Sequence, residues 1–307
     1  MLKNQLFGVE VEMTGITREK TAAIVAEVLG STASRPENSC YQTRTITDQA
    51  ARQWKVMRDS SITSIRNDES NASMDEYKVE LVTPPLNYKD IELLQNIIRK
   101  LRENGAKSHH SCGIHIHVDG KNHNAKSLRR LVNFMTSRQD LIYEALQIGR
   151  REYDWCQKFN TDLLKAMKCD KNLTKEKAEE IWYSRANSGY TGGIDHSHYN
   201  RTRYHGVNLH SYFSKGTVEF RLFNSTLHAG KIKAYIQFCL AVSAWAITSQ
   251  EKVVFRSMNG YTAEQKVTIM RNILTHRLKL CGSEFKTCRL HLMTPLKKAA
   301  GMTCRAA

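Results

Sequence analysis

The clearest pattern in the chain is strand-like alternation with reactive groups on one side. Successive side chains of a strand point to opposite faces. In residues 7–13, Val9, Val11 and Met13 therefore share one face, and Glu10 and Glu12 the other. In 112–119, Ile114, Ile116 and Val118 alternate with His115, His117 and Asp119. In 217–223, Val218, Phe220 and Leu222 alternate with Glu219 and Arg221. Residues 206–212 read as a fourth strand, in which Val207 and Leu209 oppose Asn208 and His210. Each stretch pairs an apolar face with a face able to bind or move charge.

Helical periodicity marks the other elements. Thr17 opens a helix over 18–29 and Gly30 closes it. A second helix covers 88–103, with Ile91, Leu94, Ile97, Ile98 and Leu101 on one face and Asn104-Gly105 as its end. Further helices are predicted over 125–146, 229–249 and 262–280, with a short one near 175–183. Shorter strand candidates lie at 41–46, 54–58 and 76–83, the last halted by Pro84-Pro85. The rest of 150–200 reads as irregular, and the tail from 297 as poorly ordered. Strands in pairs with helices between them, without strict βαβ alternation, predict an α+β fold with an antiparallel sheet. Neither G-x-G-x-x-G nor a P-loop occurs.

Composition narrows the class. The 307 residues are 41% hydrophobic and 25% charged, a globular balance. The longest apolar run, 236–247, is interrupted by Gln237 and Ser243 and reads as a core helix, short of a membrane span. Glu10 and Glu12 come too early for a signal-peptide core, so a cytoplasmic address is expected. Eight cysteines without a C-x-x-C pair suggest reduced thiols. His276, Cys281, Cys288 and His291 fall close together, but their spacing matches no common zinc pattern; a packed basic helix and turn is the expected reading.

The net charge of +16 is uneven. Residues 1–120 hold 15 Lys and Arg against 16 Asp and Glu, 121–250 hold 20 against 11, and 251–307 hold 11 against 3. The surplus suggests an anionic partner: nucleotide phosphates, a polycarboxylate or nucleic acid. Solvated helix faces would look the same.

Two carboxylates side by side on a strand face repel, and need a cation or a shared proton. Magnesium or manganese accepts such oxygens, with water and phosphate completing the shell. Arg221 beside Glu219 offers a fixed fork for phosphate. Alone, a Glu-x-Glu is commonly a solvated face and a His-x-His commonly packed; their joint occurrence at strand spacing favours a site.

At these residues the chain resembles the amidoligase family, related to glutamate–cysteine ligases and glutamine synthetase. The resemblance rests on Phe7-Gly-Val-Glu-Val-Glu12, Trp54-Lys-Val-Met-Arg-Asp-Ser-Ser61, Val79-Glu-Leu-Val-Thr-Pro-Pro-Leu86, Cys112-Gly-Ile-His-Ile-His-Val118, Tyr204-His-Gly-Val-Asn-Leu-His210 and Gly216-Thr-Val-Glu-Phe-Arg221, in order from residue 6 to about 247. It implies a glutamine-synthetase-like curved antiparallel sheet, packed with helices, whose concave face holds ATP and Mg²⁺ or Mn²⁺. By position Glu10, Glu12, Glu80 and Glu219 match the metal-ligand glutamates, and His115 a histidine near metal or nucleotide. Arg221 matches an arginine on the ATP phosphates, Asp59 and Ser61 an active-site edge, and Arg203 is a further candidate beside the matched Tyr204. His117, Asn208 and His210 are candidate cofactor contacts on the same faces. The implied organisation is a catalytic domain over 1–250 with a basic helical extension over 251–307.

The implied reaction is ATP-dependent ligation of a carboxylate to an amine through an acyl phosphate, on small-molecule or peptide substrates. A lid over residues 188–194 is expected from its glycines. Two other classes compete: a metal-dependent phosphoesterase or nuclease using the Glu/His face, and a non-catalytic nucleotide-binding protein of the same fold.

Overall fold

The computed structural model describes residues 1–66, 68–69, 71–188, 193–250 and 257–303. In chain order the first elements are β1 (Phe7–Met13), α1 (Arg18–Leu29), β2 (Arg44–Thr47), β3 (Gln53–Met57), β4 (Val79–Val82), α2 (Ile91–Glu103) and β5 (Gly113–Asp119). There follow α3 (Ala125–Leu146), α4 (Arg151–Asp154), α5 (Thr161–Cys169), α6 (Lys175–Trp182), α7 (Arg185–Ser188), β6 (Val207–Asn208) and α8 (His210–Lys215). Last come β7 (Thr217–Asn224), α9 (Ala229–Thr248), α10 (Ala263–Asn272) and α11 (Lys286–Ala299). The described residues thus form a mixed α and β protein with seven strands and eleven α-helices. None of these helices is long and apolar enough to cross a membrane.

The chain divides into two compact units. One comprises Leu6–Ile116 and Phe223–Ile236, the other Met1–Gln5, His117–Leu222 and Gln237–Ala307. The chain passes from one to the other within β5, β7 and α9.

In the unit that begins at Leu6, the strand order is β2-β3-β4-β1-β5. The pairings β2/β3, β3/β4 and β1/β4 are antiparallel. The apolar face of β1 is fully withdrawn from water: Phe7, Val9, Val11 and Met13 are at most 1% exposed. Val79 and Leu81 of β4 and Trp54 and Val56 of β3 are buried likewise. All five apolar residues read on the face of α2 are buried. Thr17 caps α1 by accepting from the Lys20 N–H at 3.2 Å, and Gly30 ends it at φ 60°. Asp48 staples the β2–β3 turn: it accepts from the backbone N–H of Ala50 and Arg52 (both 2.9 Å) and from Trp54 Nε1 at 3.0 Å.

In the other unit the order is β5-β7-β6. β6 pairs antiparallel with β7, setting Val207 opposite Phe220 and Asn208 opposite Glu219. Gly206 leads into β6; a Cβ there would collide with the Tyr143 hydroxyl and with Leu222, so only glycine fits. A buried polar chain fixes α3 to α9. His123 bonds Ser127 Oγ (3.1 Å) and Ser243 Oγ (2.9 Å), and Ser243 donates to Gln5 Oε1 at 2.6 Å.

Several boundaries differ from those read in the sequence. The stretch 206–212 is not one strand: two residues pair, then Leu209 turns into α8, which Gly216 ends at φ 77°. The chain must reverse between Asn208 and its partner Glu219, and one helical turn makes that reversal. Residues 150–200 hold α4, α5 and α7 besides the expected α6. The helix after Thr262 closes with a π turn, Ile273–Arg277. Helix α11 runs to Ala299 although Pro295 lies inside it, so the expected disorder from 297 does not hold up to there. The start of the predicted 76–83 strand is a 3₁₀ turn, Met74–Tyr77.

Candidate functional site

β1, β4 and β5 carry the first cluster, within the unit that begins at Leu6. Glu12 lies opposite Glu80 in the β1/β4 register. His115 joins them from β5: one ligand atom each from Glu12, Glu80 and His115 lie within 4.8 Å of one another. Glu12 and His115 are 4% and 5% exposed. Such close carboxylates lose hydration and repel, which is the condition a divalent cation relieves. Glu12 Oε2 also accepts from the Gly113 N–H at 2.6 Å, fixing the carboxylate across the strands.

Glu10 meets the other nitrogen of the same imidazole and is itself placed to offer a ligand atom. Its Oε2 lies 2.8 Å from His115 Nδ1, while His115 Nε2 is 3.7 Å from Glu12 Oε1. With Nδ1–H donating to Glu10, the Nε2 lone pair is turned toward Glu12. A carboxylate behind an imidazole is a common way to fix the tautomer of a metal-ligating histidine. Orientation of β4, which alternation in the sequence could not settle, follows from pairing: Val79 and Leu81 are buried and Glu80 takes Glu12's side.

β6 and β7 carry the second cluster, within the other unit. Both oxygens of Glu219 are engaged: Oε1 accepts from Arg221 Nη1 and Oε2 from Asn208 Nδ2, each at 2.6 Å. Glu219 and Arg221 are 4% and 5% exposed, so this is a desolvated ion pair. His117 Nε2 stands 3.9 Å from Glu219 Oε1, and its Nδ1 bonds Thr217 Oγ1 at 3.0 Å. The Arg221 guanidinium donates from Nε to the Trp155 carbonyl (3.4 Å) and lies 6.0 Å from the Tyr204 ring centroid. Arg203 lies 5.7 Å from the same ring. Nothing in the sequence marks Trp155 as a site residue, and Tyr204 is marked only by its place beside Arg203.

Other candidates stand apart from these clusters. His210 belongs to α8, so the alternation that placed it beside Asn208 does not apply. Its Nδ1 bonds the Tyr183 hydroxyl at 2.7 Å. Burial first, then the Arg203 charge, pushes it down to about 4, so the ring is neutral at pH 7. Asp59 and Ser61 form a tight turn after β3, Asp59 Oδ1 accepting from the Ser61 N–H at 2.7 Å. Among the described residues no hydrogen bond joins them to the carboxylates. The expected lid over 188–194 falls mainly on 189–192, outside the described residues. His276, Cys281, Cys288 and His291 do not assemble: no metal-capable group among the described residues includes them. Cys288 is buried, its thiol pushed up to about 12, while Cys281 is exposed.

A family model described as a putative amidoligase enzyme matches residues 3–243. No curated protein matches the chain.

Proposed function

The chain belongs to this amidoligase family, and on that premise we propose that it is an ATP-dependent carbon–nitrogen ligase joining a carboxylate to an amine. The observation that carries the reading is the Glu12, Glu80 and His115 cluster, with its ligand atoms within 4.8 Å. Hard oxygens with one imidazole suit Mg²⁺ or Mn²⁺. We propose in addition that the sheet has the glutamine-synthetase-like curvature implied by the resemblance.

A carboxylate does not condense with an amine at neutral pH, because hydroxide is a poor leaving group. In the proposed reaction a substrate carboxylate oxygen attacks the γ-phosphorus of ATP, giving an acyl phosphate and ADP. The amine then attacks the acyl carbon, inorganic phosphate leaves, and the ammonium proton is lost to solvent or a base. Glu12, Glu80 and His115 would hold the divalent ion, and the resemblance also implies a metal-ligand role for Glu219. Such an ion would supply charge neutralisation at the phosphates.

The protein's own groups do the rest. Glu10 holds His115 in the tautomer that presents Nε2. Arg221 carries the charge offered to the transferring phosphoryl group, and its partners Glu219, Trp155 and Tyr204 keep the planar fork in one orientation. Asn208 and His117 orient Glu219. Arg203 is assigned a supporting phosphate role from its place just before Tyr204, and Asp59 and Ser61 an active-site-edge role from the resemblance alone.

The test is ADP release from ATP by the full chain, with Mg²⁺ or Mn²⁺, across a panel of amino acids and small peptides. Hydroxylamine traps an acyl phosphate as a hydroxamate. Substrate-stimulated ADP release with hydroxamate formation is expected. Failure to bind ATP–Mg²⁺ calorimetrically would overturn the reading, as would metal-dependent nucleic-acid cleavage without ATP.

A further inference from the structure

Arg151, in the single turn α4, is 8% exposed and so almost wholly withdrawn from water. Its Nε finds no acceptor, and no carboxylate pairs with it among the described residues. Glu152, its neighbour in sequence, pairs instead with Lys158 at 2.9 Å. The other buried arginines are compensated: Arg18 pairs with Glu76 at 2.8 Å and Arg221 with Glu219 at 2.6 Å. A guanidinium keeps its charge throughout the range in which proteins fold, so it cannot escape burial by losing a proton. Burying such a charge without a counter-ion is costly. An anion is the partner that this group calls for.

The backbone brings the segment that carries Arg151 beside Arg221. Gln157 N donates to Tyr204 O (2.7 Å), Gly206 N to Gln157 O (2.9 Å) and Arg221 N to Gly206 O (2.8 Å). Arg221 Nε adds a bond to the Trp155 carbonyl at 3.4 Å. The turn itself is held as firmly. Arg151 O accepts from Trp155 N and Cys156 N, both at 3.0 Å, and from Cys156 Sγ at 3.1 Å. Burial pushes the Cys156 thiol up to about 11, and the charges of Arg151 and then Arg221 pull against that rise, so both guanidinium groups act on this one thiol. Trp155, next to it in sequence, is 38% exposed, so the segment meets solvent at this point.

We propose that Arg151 is an anion-binding residue, and that it takes an oxyanion together with its neighbour Arg221. A guanidinium fork offers parallel N–H donors that match the paired oxygens of a carboxylate or a phosphate. Arg221 commits Nη1 to Glu219, whereas no protein carboxylate occupies Arg151. The site stands on these contacts; only the naming of its occupant rests on the ligase reading. On that reading the oxyanion is either a phosphate of the nucleotide or a carboxylate of the acid substrate.

The probes are inorganic pyrophosphate and glutarate, each titrated calorimetrically into the full chain in EDTA, so that no metal bound by the carboxylate cluster takes part. Saturable binding of at least one is expected: pyrophosphate alone points to the nucleotide, glutarate alone to the acid substrate, and both to a site open to either. Arg151→Met should weaken that binding by roughly tenfold or more. Arg150→Gln removes the same charge from the exposed neighbouring position and should leave it unchanged. Thermal unfolding separates binding from a structural role. Without probe, Arg151→Met should melt at or above the wild-type temperature, because methionine buries no charge. With saturating probe the wild type should gain several degrees and the variant little. Binding of neither probe, wild-type affinity in Arg151→Met, equal weakening by Arg150→Gln, or an Arg151→Met protein that melts below the wild type without probe would each overturn the proposal. None of these measurements uses ATP turnover, so a failure of the ligase reading shows separately, as absent ADP release.

Discussion

Replacing Glu12 by glutamine separates the charge of the carboxylate cluster from its shape. Glu12 faces Glu80 across β1 and β4 with ligand atoms within 4.8 Å. At an effective dielectric constant of about 20, two unit charges at that distance repel by roughly 3.5 kcal/mol. Glutamine relieves this but offers the Gly113 N–H a neutral acceptor in place of a charged one, a loss of about 1 kcal/mol. Without divalent metal, Glu12→Gln should therefore be more stable than wild type by roughly 2.5 kcal/mol, a rise of several degrees in Tm. With metal the difference closes. A cation at about 100 times its Kd stabilises the wild type by about 2.7 kcal/mol, and the variant should gain little. Thermal unfolding of both proteins in EDTA and in excess Mg²⁺ or Mn²⁺ reads all four values. A variant less stable than wild type in EDTA would refute the repulsion argument. An equal metal-induced shift in both proteins would refute the assignment of Glu12 as a ligand.

Arg221→Lys keeps the positive charge but loses the fork that bonds Glu219, so kcat/KM for ATP turnover should fall by roughly 10²–10³, checked by steady-state kinetics beside circular dichroism; a wild-type rate contradicts the phosphate role. His123 and His205 are buried and pushed down to about 4, chiefly by desolvation. Their folded values lie below the ordinary value of about 6.5, so the stability they contribute is complete above that pH and is lost as pH falls toward 4, by about 3 kcal/mol each. Urea unfolding from pH 7.5 to 4.5 should show this decline, and His205→Gln should flatten it; an unchanged slope in that variant counts against the assignment. Asp48→Ala removes the acceptor of two backbone N–H groups and of the Trp54 indole, and should cost about 3 kcal/mol by denaturant titration. A loss under 1 kcal/mol would show that water replaces those bonds.

Much of this protein is legible one element at a time. Periodicity alone finds β1, β5, β7 and the helices α1, α2, α3 and α9, because a face that must leave water repeats at the period of its backbone. The same alternation sets Glu10 with Glu12 and Glu219 with Arg221. It fails where the chain must turn. Val207-Asn208-Leu209-His210 has strand alternation, yet the reversal that brings Asn208 opposite Glu219 puts His210 in α8. It also fails over 150–200, where α4, α5 and α7 are too short for a periodic face to stand out.

Pairing between elements lay beyond the sequence. Nothing local orients Glu80, whose side is decided by the β1/β4 register. Nothing local shows that Glu10 engages His115, that Glu219 is bonded through both oxygens, or that Arg221 lies beside Tyr204. Which residues are reactive, and which face each strand side chain takes, follows from residue chemistry and backbone period. Which of them meet, and in which protonation and orientation, is set by strand register and packing between residues as far as 105 positions apart, as Glu10 and His115 are. Those contacts arise only when the chain closes on itself, so only the tertiary structure decides them.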